Sequence, residues 1–312
     1  AGLDIPFWPQ LPKRDFMEQM IPQYAEAMPC VVVERETQRT RCDRGSKYEA
    51  LEAFYSKFME EAPDRFAISP GYADGLRAFP AALRGRQTAL KGQVTGPITF
   101  ATGIAEPGGE TLYADVDLRD AAVKLLSRKA QWQIARLKAL ADTIVIFVDE
   151  PVLAAIGSSA YVGISDQDVV DLEKEIFEAI RASGGLAGMH VCGNSDWGVL
   201  IRTGLDILNF DAYRYGLRLA LYPEEVRGLL ERGGYLAWGI VPTTAEELAR
   251  ETCASLVERF RTWVGALAGK GIAESLVLDH SLLTPCCGCG SLTVPETERV
   301  FSLLRELREA LR

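Results

Sequence analysis

Short apolar runs alternate with longer stretches of helical spacing over the second half of the chain. The runs at residues 143–148 (TIVIFV) and 235–241 (YLAWGIV) are apolar at nearly every position and rich in β-branched or aromatic side chains. Strands of this kind are buried on both faces, as they are in parallel sheets. The repeated strand–helix order therefore predicts an α/β fold.

Seven strands are predicted along the chain, at residues 3–11, 90–97, 143–148, 185–191, 206–210, 235–241 and 275–279. A small hairpin is predicted near residues 30–44. Helical spacing is found at residues 15–28, 46–61, 117–141, 166–183, 222–232, 244–268 and 294–312. These elements favour a TIM (β/α)8 barrel, which needs eight strands. We expect the first strand to be absent from the chain or to have been missed. No repeat or low-complexity linker interrupts residues 1–312, so we predict a single domain.

Composition narrows the possible classes of protein. The 312 residues carry a net charge of −9, which argues against a nucleic-acid partner and against an anionic membrane surface. No apolar run reaches the ~18 residues of a membrane span, and the first residues do not resemble a signal peptide. The seven cysteines are odd in number and clustered, unlike a disulfide framework. We therefore predict a cytoplasmic protein with reduced thiols.

Polar residues follow several of the predicted strands. They are Gln10, Asp149, Glu150, His190, Cys192, Asp211 and the cysteines at 286, 287 and 289. In a parallel barrel the carboxyl ends of all strands share one face, where active sites lie. We therefore expect these side chains to meet there.

Two of these segments predict a zinc site. His190 and Cys192 are two positions apart, so an extended strand places them on the same face. Imidazole and thiolate are both good zinc ligands, and Cys287 supplies a third. Asp211 either binds the zinc ion at its fourth coordination position or lies beside that position. The alternative is that Asp211 is a solvated turn residue. Three protein ligands with one exchangeable position are typical of catalytic zinc.

The chemistry of such a site favours a thiol substrate. An electron-rich metal with two thiolate ligands is poorly suited to activating water, but it can hold a substrate thiol as the thiolate, a nucleophile at neutral pH. Simpler interpretations remain open. Asp149-Glu150-Pro151 could cap the next helix, and Cys286, Cys287 and Cys289 could include a redox pair.

Four stretches together resemble a known family. They are residues 91–97 (KGQVTGP), Asp149-Glu150-Pro151 after an apolar strand, His190-x-Cys192, and the late Pro-x-Cys-Gly of residues 285–288. The combination spans nearly the whole chain. It is similar to the catalytic domain of cobalamin-independent methionine synthase and to single-domain relatives in the uroporphyrinogen-decarboxylase and methyltransferase superfamily.

The resemblance implies a TIM barrel whose zinc binds a thiol that accepts a methyl group. His190 and Cys192 match the first two ligands and Cys287 matches the late one. The family's carboxylate ligand is usually glutamate, and Asp211 is its nearest match. Asp149 matches the residue that holds the amino group of homocysteine, so the resemblance implies a substrate-binding and catalytic role for Asp149, with His190 as the other catalytic residue. The family's other substrate-binding carboxylate falls near Gln10, and Asp211 is also expected to contact the substrate. Cys286 and Cys289 lie outside the pattern, as alternative ligands or redox-sensitive thiols.

The resemblance also suggests the methyl donor. The family's opening strand, with its Gly-Ser-x-Pro turn, has no match in residues 1–312, and we expect a single barrel. Single-barrel relatives take the methyl group from a methylated corrinoid, often on a partner protein. We therefore expect a methylcobamide donor rather than methyltetrahydrofolate, with homocysteine as the small-molecule thiol. The alternatives are a metal-free decarboxylase of the same barrel type and a non-catalytic protein that binds metal or corrinoid.

Overall fold

The structure is a computed structural model that describes residues 3–60, 62–161 and 163–312. By internal packing these residues divide into two compact units. Residues 3–150 together with 171–187 form the first unit, and residues 151–170 together with 188–312 form the second. The single domain over residues 1–312 stays a prediction, and its first two residues lie outside the described part of the chain.

The first unit contains a hairpin and two long parallel strands. Strands β1 (Val31–Glu34) and β2 (Arg39–Cys42) pair antiparallel, which confirms the hairpin predicted near residues 30–44. Strands β3 (Gln87–Thr95) and β4 (Ala141–Asp149) run parallel, with Thr95 opposite Asp149. The C-terminal ends of β3 and β4 therefore lie side by side.

Five helices lie between and after these strands in the described part of the chain up to Ala182. They are α1 (Lys47–Phe58), α2 (Asp74–Ala82), α3 (Pro97–Thr102), α4 (Val116–Leu137) and α5 (Asp166–Ala182). Asp115 is the N-cap of helix α4, and its carboxylate accepts hydrogen bonds from the backbone N–H groups of Asp117 and Leu118. This side chain satisfies two of the donors that a helix N-terminus leaves unpaired.

Four parallel strands continue the chain, and β5 (Gly185–Val191) contributes residues to both units. In the second unit it pairs with β6 (Ile207–Phe210), which pairs with β7 (Tyr235–Val241), which pairs with β8 (Ser281–Pro285). The helices here are α6 (Trp197–Arg202), α7 (Ala212–Tyr215), α8 (Pro223–Glu231), α9 (Ala245–Leu248), α10 (Cys253–Ala268), α11 (Glu274–Asp279) and α12 (Val294–Ala310). Trp238 stacks on Trp263, with ring centroids 5.8 Å apart.

The predicted α/β class with parallel strands is confirmed. The described residues contain six parallel strands, β3 to β8, and closure into an eight-stranded barrel stays a prediction. Within this same part of the chain, no helix combines the length and the apolar character that crossing a bilayer requires.

Two of the predicted strands are wrong. Residues 275–279 form helix α11, and the strand is β8, which begins at Ser281. A short apolar run does not distinguish a strand from a buried helical turn. At residues 3–11 only Phe7 bridges to β3, opposite Lys91. The prolines at positions 6 and 9 have no N–H to donate, which prevents a longer ladder.

Two predicted helices are also shorter than expected. Residues 15–28 contain two single 3-10 turns, Phe16–Glu18 and Pro22–Tyr24, because Pro22 interrupts the helical pattern. The helix predicted at 244–268 is divided into α9 and α10. Thr252 and Ser255 cap the start of α10 reciprocally, so the second helix begins anew there.

Candidate metal centre

Strand β5 carries the first part of the site. Its residues are buried except for Leu186 and, near the C-terminal end, His190, which are both half-buried. Val191 is fully buried, and Cys192, just beyond the strand, is half-buried like His190. The alternation of an extended chain therefore places the imidazole and the thiol on one side, as the spacing predicts.

The end of β8 carries the second part. Cys286 follows the strand directly, its backbone N–H donating to the carbonyl of Val241, and Cys287 comes next and is exposed. Gly239 on β7 makes this turn possible. A Cβ atom there would lie 2.4 Å from the carbonyl oxygen of Phe210 and 2.9 Å from the Cα atom of Cys286. The close approach of β8 to β7 at this point therefore requires glycine.

The two ends meet in one group of potential metal ligands. One ligand atom from each of His190, Cys192 and Cys287 lies within 4.8 Å of the other two. Zinc binds imidazole nitrogen and cysteine sulfur at about 2.0 to 2.3 Å, so ligands of one ion lie within roughly 4.6 Å of each other. The spacing and the donor types therefore fit a zinc ion after at most a small contraction.

The surroundings of Cys287 favour its charged form. Hydrogen bonds from the Cys192 thiol and from the His190 imidazole, with the positive charge of His190, lower the pKa of Cys287 to about 4, although burial acts in the opposite direction. The backbone N–H of Gly288 also donates to this sulfur. Cys287 is thus a thiolate at neutral pH, which is the form that binds metal.

The neighbouring thiol of Cys286 behaves in the opposite way. It is buried, and its S–H donates to the carbonyl oxygen of Gly239 at 3.0 Å. Burial, followed by the charge of Asp211, raises its pKa well above the usual value of a cysteine. Cys286 is therefore a neutral structural thiol. Cys289 is half-buried, and burial together with the Cys287 charge raises its pKa.

Asp211 lies at the end of β6 with its carboxylate buried and engaged. It caps α7 by accepting a hydrogen bond from the backbone N–H of Arg214, and the Arg214 guanidinium contacts its other oxygen at 2.5 Å. The negative charge of Asp211 also raises the pKa of the Cys286 thiol. It is not part of the group formed by His190, Cys192 and Cys287. Its role as fourth ligand stays a prediction, and as placed here it is bound to Arg214.

Asn209 is a site neighbour that sequence reasoning missed. It is buried on β6, opposite His190 in the register, and its side-chain oxygen lies 2.6 Å from Nδ1 of His190. The signal in the sequence was a polar residue inside an otherwise fully apolar strand (ILNF). Buried polar groups need partners, so this residue pointed to a neighbour that must bond to it.

The other predicted site residues belong to the first unit. Gln10 donates a hydrogen bond to the side chain of Gln23 at 2.7 Å. Asp149 is the last residue of β4. Burial lowers the pKa of Lys91, and the negative charge of Asp149 partly offsets this effect. The substrate-binding roles of Gln10 and Asp149, and the catalytic role of Asp149, stay predictions.

The next residue, Glu150, is fully buried and organises its surroundings. Its carboxylate accepts hydrogen bonds from the backbone N–H groups of Ile98 and Thr99, at 2.8 and 2.9 Å, and from the Thr99 hydroxyl. Gly96 leaves room for it, because a Cβ atom there would lie 2.1 Å from the Glu150 carboxylate. The carboxylate thus holds the turn between β3 and α3, in addition to any role in capping a following helix.

A second buried acid, Glu173 on α5, pairs with Glu150. Burial, and then the charge of Glu150, raises the pKa of Glu173 well above its usual value. Neither oxygen of Glu173 has a hydrogen-bond partner in the described part of the chain, so nothing there stabilises its ionised form. The donors converge on Glu150, which favours the charge on Glu150 and the neutral acid at Glu173.

The comparisons with known proteins add no relative. A scan against protein-family models gives no match, and a search of curated proteins gives none either. The functional assignment therefore depends on the chemistry of the site and on the sequence motifs.

Proposed function

We propose that this chain is a zinc-dependent methyltransferase that transfers a methyl group to a thiol. The observation that carries the proposal is the grouping of one imidazole and two thiols, one of them with a strongly lowered pKa, while the nearby Asp211 is bound to Arg214. Three protein ligands with no fourth closing the set are typical of catalytic rather than structural zinc sites.

The residues of the chain hold the ion and position the acceptor. His190, Cys192 and Cys287 would bind zinc, and a zinc ion there would supply the positive charge that favours the thiolate form of an incoming thiol. Cys287 is exposed, so a small thiol can reach the group from solvent. Arg214 keeps the Asp211 carboxylate occupied, which leaves the remaining position to the substrate.

The acceptor and the donor follow from the resemblance. Homocysteine is the proposed acceptor, with Asp149 assigned to its amino group by motif alone. The proposed donor is a methylcobamide, on a corrinoid protein or free, with methyltetrahydrofolate as the alternative. Closure of the strands into a (β/α)8 barrel belongs to the same proposal.

The test combines metal analysis with turnover. We expect about one zinc ion per chain and S-methylation of homocysteine with methylcobalamin as donor, with 2-mercaptoethanesulfonate assayed in parallel as an alternative acceptor. Removal of zinc with a chelator should abolish methyl transfer, and added zinc should restore it. Full methyl transfer by zinc-free protein would contradict the proposal. Zinc binding without any turnover would favour a metal-handling protein instead.

A further inference from the structure

Asn209 has three side-chain hydrogen bonds, to groups on three different strands. Its Oδ1 lies 2.6 Å from Nδ1 of His190 on β5, and its Nδ2 donates to the carbonyl oxygen of Ala237 on β7 at 2.8 Å. The same Nδ2 donates to the hydroxyl of Thr284 on β8 at 2.9 Å. Only 4% of Asn209 is exposed, so water does not compete for these bonds.

The orientation of the Asn209 amide follows from one of these partners. The oxygen and nitrogen of an amide are told apart by the hydrogen-bond network. The carbonyl oxygen of Ala237 can only accept, so the amide nitrogen must face it. The amide oxygen then faces Nδ1 of His190, and because this oxygen can only accept, Nδ1 must carry a proton.

We infer that Asn209 is a positioning residue for the metal centre: it holds His190 with the proton on Nδ1, so that Nε2 is the nitrogen that binds the ion. Metal-ligating histidines commonly donate their other ring N–H to a fixed acceptor, which sets both the tautomer and the orientation of the ring. The inference rests on the metal site of the proposed function and does not depend on methyl transfer.

The same network connects the two halves of the site. Thr284 lies on β8, the strand that ends immediately before Cys286 and Cys287. Asn209 thus joins the strand carrying His190 to the strand that positions Cys287, through a side chain that packing prevents from turning. A site organised in this way loses less side-chain freedom when an ion binds.

Substitution of Asn209 should weaken metal binding without removing a ligand. We expect Asn209→Leu and Asn209→Ala to weaken zinc binding by about 10- to 100-fold, the usual cost of losing such an outer partner. Thr284→Val is the matched control. It removes one acceptor from Nδ2 but leaves the bond to Ala237, which alone fixes the amide, so its zinc affinity should change by less than about threefold. Competition with a chromophoric chelator measures the zinc affinity of the wild type and of the three variants.

Nitrogen-15 NMR of the histidine rings gives a readout that a purely structural role would not change. The chain has two histidines, and Nδ1 of His280 bonds to the carbonyl of Leu276, so His280 serves as an internal reference. In the zinc-loaded wild type we expect a protonated Nδ1 on His190 and a metal-bound Nε2. Substitution of cadmium-113 should show coupling to Nε2 alone. In Asn209→Leu the protection of the Nδ1 proton from solvent exchange should be lost.

The outcomes separate this inference from the proposed function. Zinc bound through Nδ1 of His190, or unchanged zinc affinity in both Asn209 variants, would overturn the role of Asn209. Zinc binding through Nε2 without methyl transfer would leave the inference standing and overturn only the function. A wild-type protein that binds no zinc would overturn both. The wild-type spectrum decides the tautomer even if a variant does not fold.

Discussion

Two clusters of ionisable side chains in this chain hold opposite charge states. In the second unit, Cys287 is held as a thiolate beside His190 and Cys192. In the first unit, Glu173 is held as a neutral acid beside Glu150. Both clusters lie next to the C-terminal end of a parallel strand, β5 in one case and β4 in the other.

The difference lies in what surrounds each group. Cys287 receives hydrogen bonds from a thiol, an imidazole and a backbone N–H, all of which stabilise negative charge. Glu173 meets another carboxylate, and the donors nearby, on Ile98 and Thr99, all point at Glu150. Converging donors therefore favour the charged form of the exposed Cys287, whereas Glu173 is buried without such donors and stays neutral.

The reactivity of Cys287 offers the largest expected effect. Because its pKa is lowered to about 4, the rate of alkylation by iodoacetamide in metal-free protein should be nearly constant between pH 5.5 and 8.5. The rate of an ordinary thiol rises about 1000-fold over that range. Mass spectrometry of the alkylated peptide also follows Cys289, whose raised pKa predicts the ordinary slope. A tenfold rise per pH unit at Cys287 would show that it is not a thiolate.

Removal of a metal ligand should have the next largest effect. His190→Ala and Cys287→Ala should each weaken zinc binding by about 100-fold or more, because each removes one of three ligands. Cys289→Ala is the matched control, two positions from Cys287, and should retain zinc at wild-type affinity. Metal analysis after dialysis measures the stoichiometry. Loss of zinc in the control instead would place the ligand at Cys289.

The buried acid pair should produce a smaller, pH-dependent effect on stability. The raised pKa of Glu173 means that the folded protein binds its proton more tightly than the unfolded chain does. The contribution of Glu173 to the stability of the folded protein is therefore most favourable below the unfolded pKa of about 4.5. It declines as the pH rises toward the pKa of Glu173 in the folded protein. Glu173→Gln removes this dependence. The free energy of unfolding of the variant, measured relative to that of wild type, should therefore rise by about 1 to 3 kcal/mol as the pH is raised from 4.5 to 7.5.

Urea unfolding at both pH values measures this difference. Glu178→Gln is the control, because Glu178 is exposed on the same helix α5 and lies 3.9 Å from the ammonium of Lys174. It should change the free energy of unfolding by less than about 0.5 kcal/mol at either pH. Equal effects of the two substitutions would mean that Glu173 is ionised in the folded protein.

The smallest effect concerns the donors to Glu150. Thr99→Val removes the hydroxyl that donates to the carboxylate and should lower the free energy of unfolding by about 1 to 2 kcal/mol. Thr102→Val in the same helix removes a hydroxyl whose hydrogen bonds, among the described residues, go to carbonyls of that helix, and it should lower the free energy of unfolding by less than about 0.5 kcal/mol. The reverse order would show that Thr99 does not support the acid pair.

The sequence predicted the strands that are long, apolar and bounded by turns, because burial on both faces leaves a clear pattern. Residues 143–148 and 235–241 are examples. It failed at residues 275–279, where a few apolar side chains fit a buried helical turn as well as a strand. It also failed near the N-terminus, where the prolines leave one bridge in place of a strand.

The candidate site could be predicted in part for a similar reason. Ligand types and the spacing of His190 and Cys192 are local properties of the sequence. Once parallel strands were inferred, the grouping of these two residues with Cys287 could therefore be predicted. The hydrogen-bonding and ion-pair partners of the site residues could not be predicted. The ion pair of Asp211 with Arg214 and the amide of Asn209 beside His190 depend on the register of neighbouring strands, which no single segment encodes.

The distance along the chain between the ligands has a mechanical consequence. Cys192 and Cys287 lie on either side of three strands, β6, β7 and β8, so an ion held by both would act as a reversible cross-link across roughly a hundred residues. Closing a loop of that length restricts the unfolded chain by up to about 4 to 5 kcal/mol if it behaves as a disulfide would. Metal supply would then set how long this segment survives proteolysis, whether or not a substrate is present.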